Sequence, residues 1–119
     1  MDDRNNQHEY YNGGNPMPTT WGGRSKFSYT GSVETGTEII YGNGWKARVS
    51  AQDYAALRRH FIGRIVPMGT SRTEPPEDSI GAWLRMNVTP VAIASYVGPI
   101  LVLEGYARRV GKHDVCVTR

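Results

Sequence analysis

The side chains best suited to catalysis or metal binding are scattered through this 119-residue sequence. Three histidines, His8, His60 and His113, are far apart, and the lone Cys116 rules out a paired-cysteine zinc site. His113 and Cys116 are an i, i+3 pair across a predicted strand start, and because such a pair faces opposite ways on a strand, a nucleophile pair is not expected. The sequence therefore predicts a protein that is not an enzyme and that holds neither a metal ion nor another cofactor.

Carboxylates near a lysine, which a metal-dependent nuclease would need, occur only as Glu34, Glu38 and Lys46. Glu38 and Lys46 fall on adjacent predicted strands. We interpret them as an exposed cross-strand ion pair, because opposite charges facing each other across two strands are common on sheet surfaces.

Basic side chains form the more informative group, since they are concentrated in one part of the chain. Residues 1–45 hold three basic and five acidic groups, a net charge of −2, whereas residues 46–119 hold eleven and six, a net charge of +5. The whole chain carries +3. A cationic bias of this kind is suited to a polyanionic partner, although an ordinary solvated surface would also account for it.

Composition limits the class of protein. The hydrophobic fraction of 39% and the three tryptophans are sufficient for a packed core. No apolar window reaches the roughly 18 residues of a membrane span, and the polar N-terminus lacks the apolar segment of a signal peptide. Together with the single cysteine, these features predict a cytoplasmic protein that does not contact a membrane.

The first 23 residues differ from the rest of the chain. Residues 1–23 are rich in Asn, Gly, Pro and Thr and predict a flexible polar and aromatic tail, followed by a single domain over 24–119. Large side chains such as Tyr11 and Trp21 leave a second interpretation open, in which part of this tail docks on the domain or on a partner.

The N-terminal part of the domain is predicted to be β-structure. Segments 37–41 and 45–49 are rich in β-branched and aromatic residues, and the Gly42-Asn43-Gly44 sequence between them predicts a hairpin at 37–49. Residues 26–30 alternate weakly and could form a short edge strand.

Helix signals follow the hairpin. Ser50 and Asp53 form a capping-box pattern that predicts a helix ending near Gly63. Residues 64–68 predict a short strand, which Pro67 confines to a sheet edge. After a loop, Asp78 or Ser79 is expected to cap a second helix, at whose end Asn87 can adopt a left-handed conformation.

A third helix is predicted to begin at Thr89-Pro90, with threonine as the N-cap and proline at the first helical position. Gly98-Pro99 predicts a kink or break, because proline removes the hydrogen bond to Ser95 and clashes with that turn. The exposed helix would then span only 90–97. Residues 106–110 and 115–118 predict two strands joined by a tight turn at 111–114.

From Ser50 to Thr118, the order helix, strand, helix, helix, strand, turn, strand resembles the winged helix-turn-helix family. The most specific part is Leu101-x-x-x-Gly105-Tyr106, which leads into the basic Arg108-Arg109 pair. The resemblance implies an α+β winged helix-turn-helix fold, with three helices and a small antiparallel sheet, to which the hairpin at 37–49 is an N-terminal addition. It also implies that helix 90–97 enters the major groove of double-stranded DNA, while the β-turn-β "wing" contacts phosphate or the minor groove.

The resemblance assigns roles by position. The groove-facing residues would be Thr89, Val91, Ala92, Ser95 and Tyr96. The wing contacts would be Arg108, Arg109, Lys112 and His113. Further phosphate contacts would come from Arg58, Arg59, Arg64 and Arg72.

Two functions follow. The first is a DNA-binding protein, either a small transcriptional regulator or an accessory factor, whose binding depends mainly on the DNA backbone. The second is a protein-interaction or dimerisation module, because helix 90–97 carries no Arg, Lys, Asn or Gln to read base edges.

Overall fold

The structure is a computed structural model that describes residues 11–12 and 15–119, with side chains from Met17 onwards. Most of the predicted tail, residues 1–10 and 13–14, lies outside the described residues. Within the described part, β1 (Tyr11–Asn12) and β2 (Asn15–Pro16) form a short antiparallel pair.

The first larger sheet is antiparallel and three-stranded, formed by β3 (Ser28–Ser32), β4 (Gly36–Tyr41) and β5 (Trp45–Ser50) in that order. The predicted hairpin is confirmed, and β3 adds an edge strand two residues later than expected.

The expected Glu38–Lys46 pair is wrong. The three-residue turn sets Tyr41 opposite Trp45, so the register places Glu38 opposite Arg48, and their side-chain atoms lie 3.4 Å apart.

Helix α1 (Ala51–Phe61) forms as its cap predicts. The Ser50 hydroxyl accepts a hydrogen bond from the Asp53 amide, and the Asp53 carboxylate accepts one from the Ser50 amide. The buried side of the helix contacts β4 and β5, where the Tyr54 hydroxyl hydrogen-bonds the Thr37 hydroxyl at 2.7 Å. This contact joins the first sheet to the helices.

The second sheet has the order β6 (Ile65–Pro67), β8 (Asp114–Val117), β7 (Ala107–Val110), and all its strands are antiparallel. The predicted strands and the edge position of Pro67 are confirmed. Arg108 faces Cys116 in the register and Arg109 faces Val115. Because side chains alternate along a strand, the two arginines lie on opposite faces of β7.

Helix α2 (Ile80–Asn87) is capped by Ser79, whose hydroxyl accepts from the Ala82 amide at 3.0 Å. The left-handed residue was predicted at the wrong end of this helix. Among the described non-glycine residues, Asp78 alone has a positive φ, 62°, and its carboxylate forms an ion pair with Arg64.

Helix α3 (Ala94–Leu103) departs most from the prediction, which placed a helix at 90–97. Residues 89–93 are not helical, and the Thr89 hydroxyl accepts from the Val91 amide two residues on, a local turn that competes with helix formation. The helix also continues through Pro99. The Ser95 carbonyl, which proline leaves without its helical donor, accepts a 2.9 Å hydrogen bond from the Trp21 amide instead.

One hydrophobic cluster contains residues from both larger sheets and all three helices, including Phe27, Ile39, Leu57, Val97 and Val115. The fold is α+β, with three helices and small antiparallel sheets in the described residues. None of the helices in this part of the chain is long and apolar enough to cross a membrane.

Candidate nucleic-acid interface

The segment just before the first larger sheet packs against α3. The Thr20 amide donates to the Ser25 carbonyl at 2.8 Å, which closes a small loop, and Trp21 is buried. Gly98 makes this packing possible, because a side-chain carbon at that position would lie 2.7 Å from the Trp21 ring and 2.8 Å from the Met68 sulfur. The docked interpretation of the tail therefore applies to Trp21.

Arg109 is held against this loop. Its guanidinium carbon lies 3.7 Å from the centre of the Trp21 ring, and a terminal nitrogen donates to the Trp21 carbonyl at 2.7 Å. A cation stacked on an indole keeps its charge, and Arg109 remains solvent-exposed. Trp21 therefore fixes the direction of a charge that is still accessible from outside.

A cleft of about 750 Å³, here called the basic cleft, opens beside this pair. Its lining residues include residues from one end of α3, from the loop at 20–25 and from the turn between β7 and β8. No Asp or Glu of the described residues lines it. Its basic side chains are Arg24, Arg72, Arg109, Lys112 and His113.

The N-terminal end of α3 is part of this cleft, through Ala92, Ser95 and Tyr96. The N-cap residue, Ile93, makes no side-chain capping hydrogen bond. The first amides of a helix lack partners within the helix, and its dipole adds partial positive charge at this end. The helix end therefore adds to the positive potential of the arginine and lysine side chains.

A second cleft, of about 770 Å³, adjoins the first and is here called the aromatic cleft. Tyr41 and Tyr96 stack in it with ring centres 4.7 Å apart and planes at 25°. Tyr96 also meets Phe27 edge-to-face at 5.2 Å, and burial raises the pKa of its phenol. Tyr96 is thus held in place by both rings at the boundary of the two clefts, both of which it lines.

The structure brings together seven of the sequence-predicted site residues in the basic cleft and places an eighth, Val91, in the aromatic cleft. Five others line neither cleft. The seven are Arg72, Ala92, Ser95, Tyr96, Arg109, Lys112 and His113; the five are Thr89, Arg58, Arg59, Arg64 and Arg108.

Two of the four arginines among these five residues have partners within the fold. Arg58 donates to the Arg119 carbonyl at 2.6 Å, and its guanidinium lies 4.4 Å from the centre of the Tyr106 ring. Arg64 donates to the His60 carbonyl and pairs with Asp78. We interpret both as structural.

Sequence reasoning missed the contribution of the N-terminal segment, which supplies Trp21, Arg24 and Lys26 to the clefts. The available signal was Trp21, a large aromatic residue in a polar stretch. Its docking position on Gly98 could not be read from the sequence, because the contact joins residues that are far apart in the chain.

No protein-family model, curated protein or solved structure matches the chain. Among the described residues, no group of three His, Cys, Asp or Glu side chains is arranged to hold a metal ion.

Proposed function

We propose that this protein binds double-stranded DNA as a non-catalytic winged helix-turn-helix protein, either a small transcriptional regulator or an accessory DNA-binding factor. The observation that carries the proposal is the basic cleft, which is lined by Arg24, Arg72, Arg109 and Lys112 and by no Asp or Glu of the described residues. The arrangement of α1, β6, α2, α3, β7 and β8, with sheet order β6-β8-β7, is compatible with that family and supports the proposal.

In the proposed complex, DNA phosphates bind the four cations of the basic cleft and release counterions, which provides most of the binding free energy. The N-terminal end of α3 faces the duplex, since helix amides and dipole favour an anion there. The β7–β8 turn, with Lys112 and His113, acts as the wing.

Sequence-specific recognition is expected to be weak. The side chains that the α3 end presents to the basic cleft, Ser95 and Tyr96, can make single hydrogen bonds but not the bidentate contacts that distinguish bases. We therefore expect similar affinities for duplexes of unrelated sequence.

Neighbouring arginines on β7 provide the test. Arg109→Ala should weaken binding of a random duplex by about tenfold, because it removes a phosphate contact, whereas Arg108→Ala should leave the affinity unchanged. Binding is measured by fluorescence anisotropy at low salt. Equal effects of the two changes would contradict the assignment of the interface to the basic cleft.

Loss of Arg109 could also loosen Trp21. Lys112→Ala, which removes an exposed cation with no ion pair in the described residues, controls for this. It should weaken binding without changing the free energy of unfolding.

A protein-interaction module is the second candidate, and the exposure of Val91 (50%) beside the N-terminal end of α3 favours it. Size-exclusion chromatography of Val91→Asp tests this role. A concentration-dependent dimer that this change dissociates would support the module, whereas an unchanged elution volume would count against it.

A further inference from the structure

Trp45 is the most unusual side chain of the aromatic cleft. It is 69% exposed, although a large apolar ring normally avoids water. It directly follows the Gly42–Gly44 turn, and a side-chain carbon at Gly42 would lie 3.3 Å from the indole. The indole therefore lies beside the turn, where glycine leaves room for it.

The surroundings of Trp45 combine aromatic rings with positive charge. The stacked Tyr41 and Tyr96 line the same cleft, and so do Lys26 and Arg72. No Asp or Glu of the described residues is part of this lining. Aromatic rings interleaved with cations are the usual means of holding single-stranded nucleic acid, in which bases stack on rings and phosphates meet cations.

The aromatic cleft adjoins the basic cleft, and the two share part of their lining. Ser25, Arg72, Ala92 and Tyr96 line both. A strand whose phosphates follow the basic cleft would therefore pass Arg72, which lines both clefts, before it reaches Trp45.

We propose that the aromatic cleft binds unpaired nucleobases of a DNA strand that continues from the duplex in the basic cleft. Bases within a duplex are stacked on their neighbours and cannot offer a face to an indole, whereas bases of a single-stranded extension can. The proposal rests on the proposed function and adds a preference for junctions between double- and single-stranded DNA.

The experiment compares a blunt duplex with the same duplex carrying a thymidine overhang of roughly five nucleotides, long enough to cross one such site. The wild-type protein should bind the overhang duplex roughly tenfold more tightly, as expected for one or two stacked bases. Trp45→Ala should reduce this affinity to that for the blunt duplex, while Trp45→Phe should retain most of the difference. Met86→Ala, which removes a side chain that is 86% exposed and lines neither cleft, is the matched control and should change nothing.

Each outcome decides something different. Equal affinity for blunt and overhang duplexes would overturn the aromatic-cleft proposal and leave duplex binding intact. Trp45-dependent binding of the overhang duplex, without binding of the blunt duplex, would support base stacking in the aromatic cleft but contradict duplex binding in the basic cleft, and with it the proposed function. No binding of either DNA would overturn both. A Trp45→Ala variant that instead changes the oligomeric state, with no overhang preference in the wild type, would identify the aromatic cleft as a protein interface.

Discussion

The two ends of α3 carry charge in contrasting ways. At the N-terminal end, which we call the open end, Arg109 and the other basic-cleft cations have no acidic partner in the described residues. At the C-terminal end, the closed end, Glu104 accepts from the Tyr29 hydroxyl at 2.6 Å and from the Val33 amide at 2.9 Å. A carboxylate is unfavourable at a helix C-terminus, so these donors stabilise it there and fasten β3 to the helix.

The difference separates charges that hold the fold together from charges that are available to a partner. Near the closed end, Arg58 and Arg119 both lie over the Tyr106 ring, at 4.4 and 5.0 Å, and are occupied within the protein. At the open end, Arg109 is positioned by Trp21 yet still exposed. A count of basic residues cannot make this distinction, whereas the contacts do.

The largest expected effect comes from reversing charge at the open end. Arg72→Glu with Lys112→Glu should lower duplex affinity about a hundredfold at low salt, because two phosphate contacts become repulsive. The control, Arg59→Glu with Arg108→Glu, changes net charge equally on exposed residues outside both clefts. Similar losses for the two double variants in an anisotropy titration would mean that only total charge matters.

The next effect concerns the middle of α3, where Gly98 admits Trp21. Glycine to alanine in a helix normally stabilises a protein by up to about 1 kcal/mol. Here Gly98→Ala should destabilise it by about 2 kcal/mol, because the added methyl meets Trp21 and Met68. Chemical denaturation measures the change, and a gain in stability would show that Trp21 does not pack on α3 as described.

At the closed end, Glu104→Gln should cost about 1 kcal/mol in the free energy of unfolding, since a charge-assisted acceptor of two hydrogen bonds becomes a neutral one. DNA affinity should stay the same. Glu34→Gln makes the same substitution on the exposed turn after β3 and should be neutral in both measurements. A loss of DNA binding in Glu104→Gln would contradict the claim that the closed end serves only the stability of the fold.

The smallest expected effect is a decrease in the free energy of unfolding at alkaline pH. Burial raises the pKa of Tyr29, and Glu104 raises it further; burial likewise raises the pKa of Tyr54. Because the folded-state pKa lies above that of the unfolded chain, the stabilisation is complete below about pH 10 and is lost as pH rises further. Unfolding titrations between about pH 9 and about pH 11 should show this decline, and Tyr29→Phe should reduce it. A stability that rises across this range would contradict the burial of both phenols.

Local signals in the sequence were sufficient for much of the fold. The cap at Ser50, the Gly42–Gly44 turn and the edge proline Pro67 each act through neighbouring residues, and the elements that they predict are present. The start of α3 was predicted wrongly because Thr89-Pro90 resembles a helix start, whereas the Thr89 hydroxyl forms a local turn instead.

The candidate site was predictable only in part. The resemblance predicted a role for the β7–β8 turn by position, and Lys112 and His113 do line the basic cleft. Alternation along the predicted strand already puts Arg108 and Arg109 on opposite faces, but which face meets the cleft depends on how the sheet packs in the fold. The position of Trp21 depends on its long-range contact with α3 and on the Ser95 carbonyl, which Pro99 leaves without its helical donor.

The central claim is that the cations of the open end bind DNA phosphates, and its most direct test is the salt dependence of wild-type binding to a random duplex. Neutralising about four phosphates predicts a slope near −3.6 in a plot of log affinity against log salt concentration. Absence of binding at low salt, or an affinity that does not fall as salt rises, would contradict it.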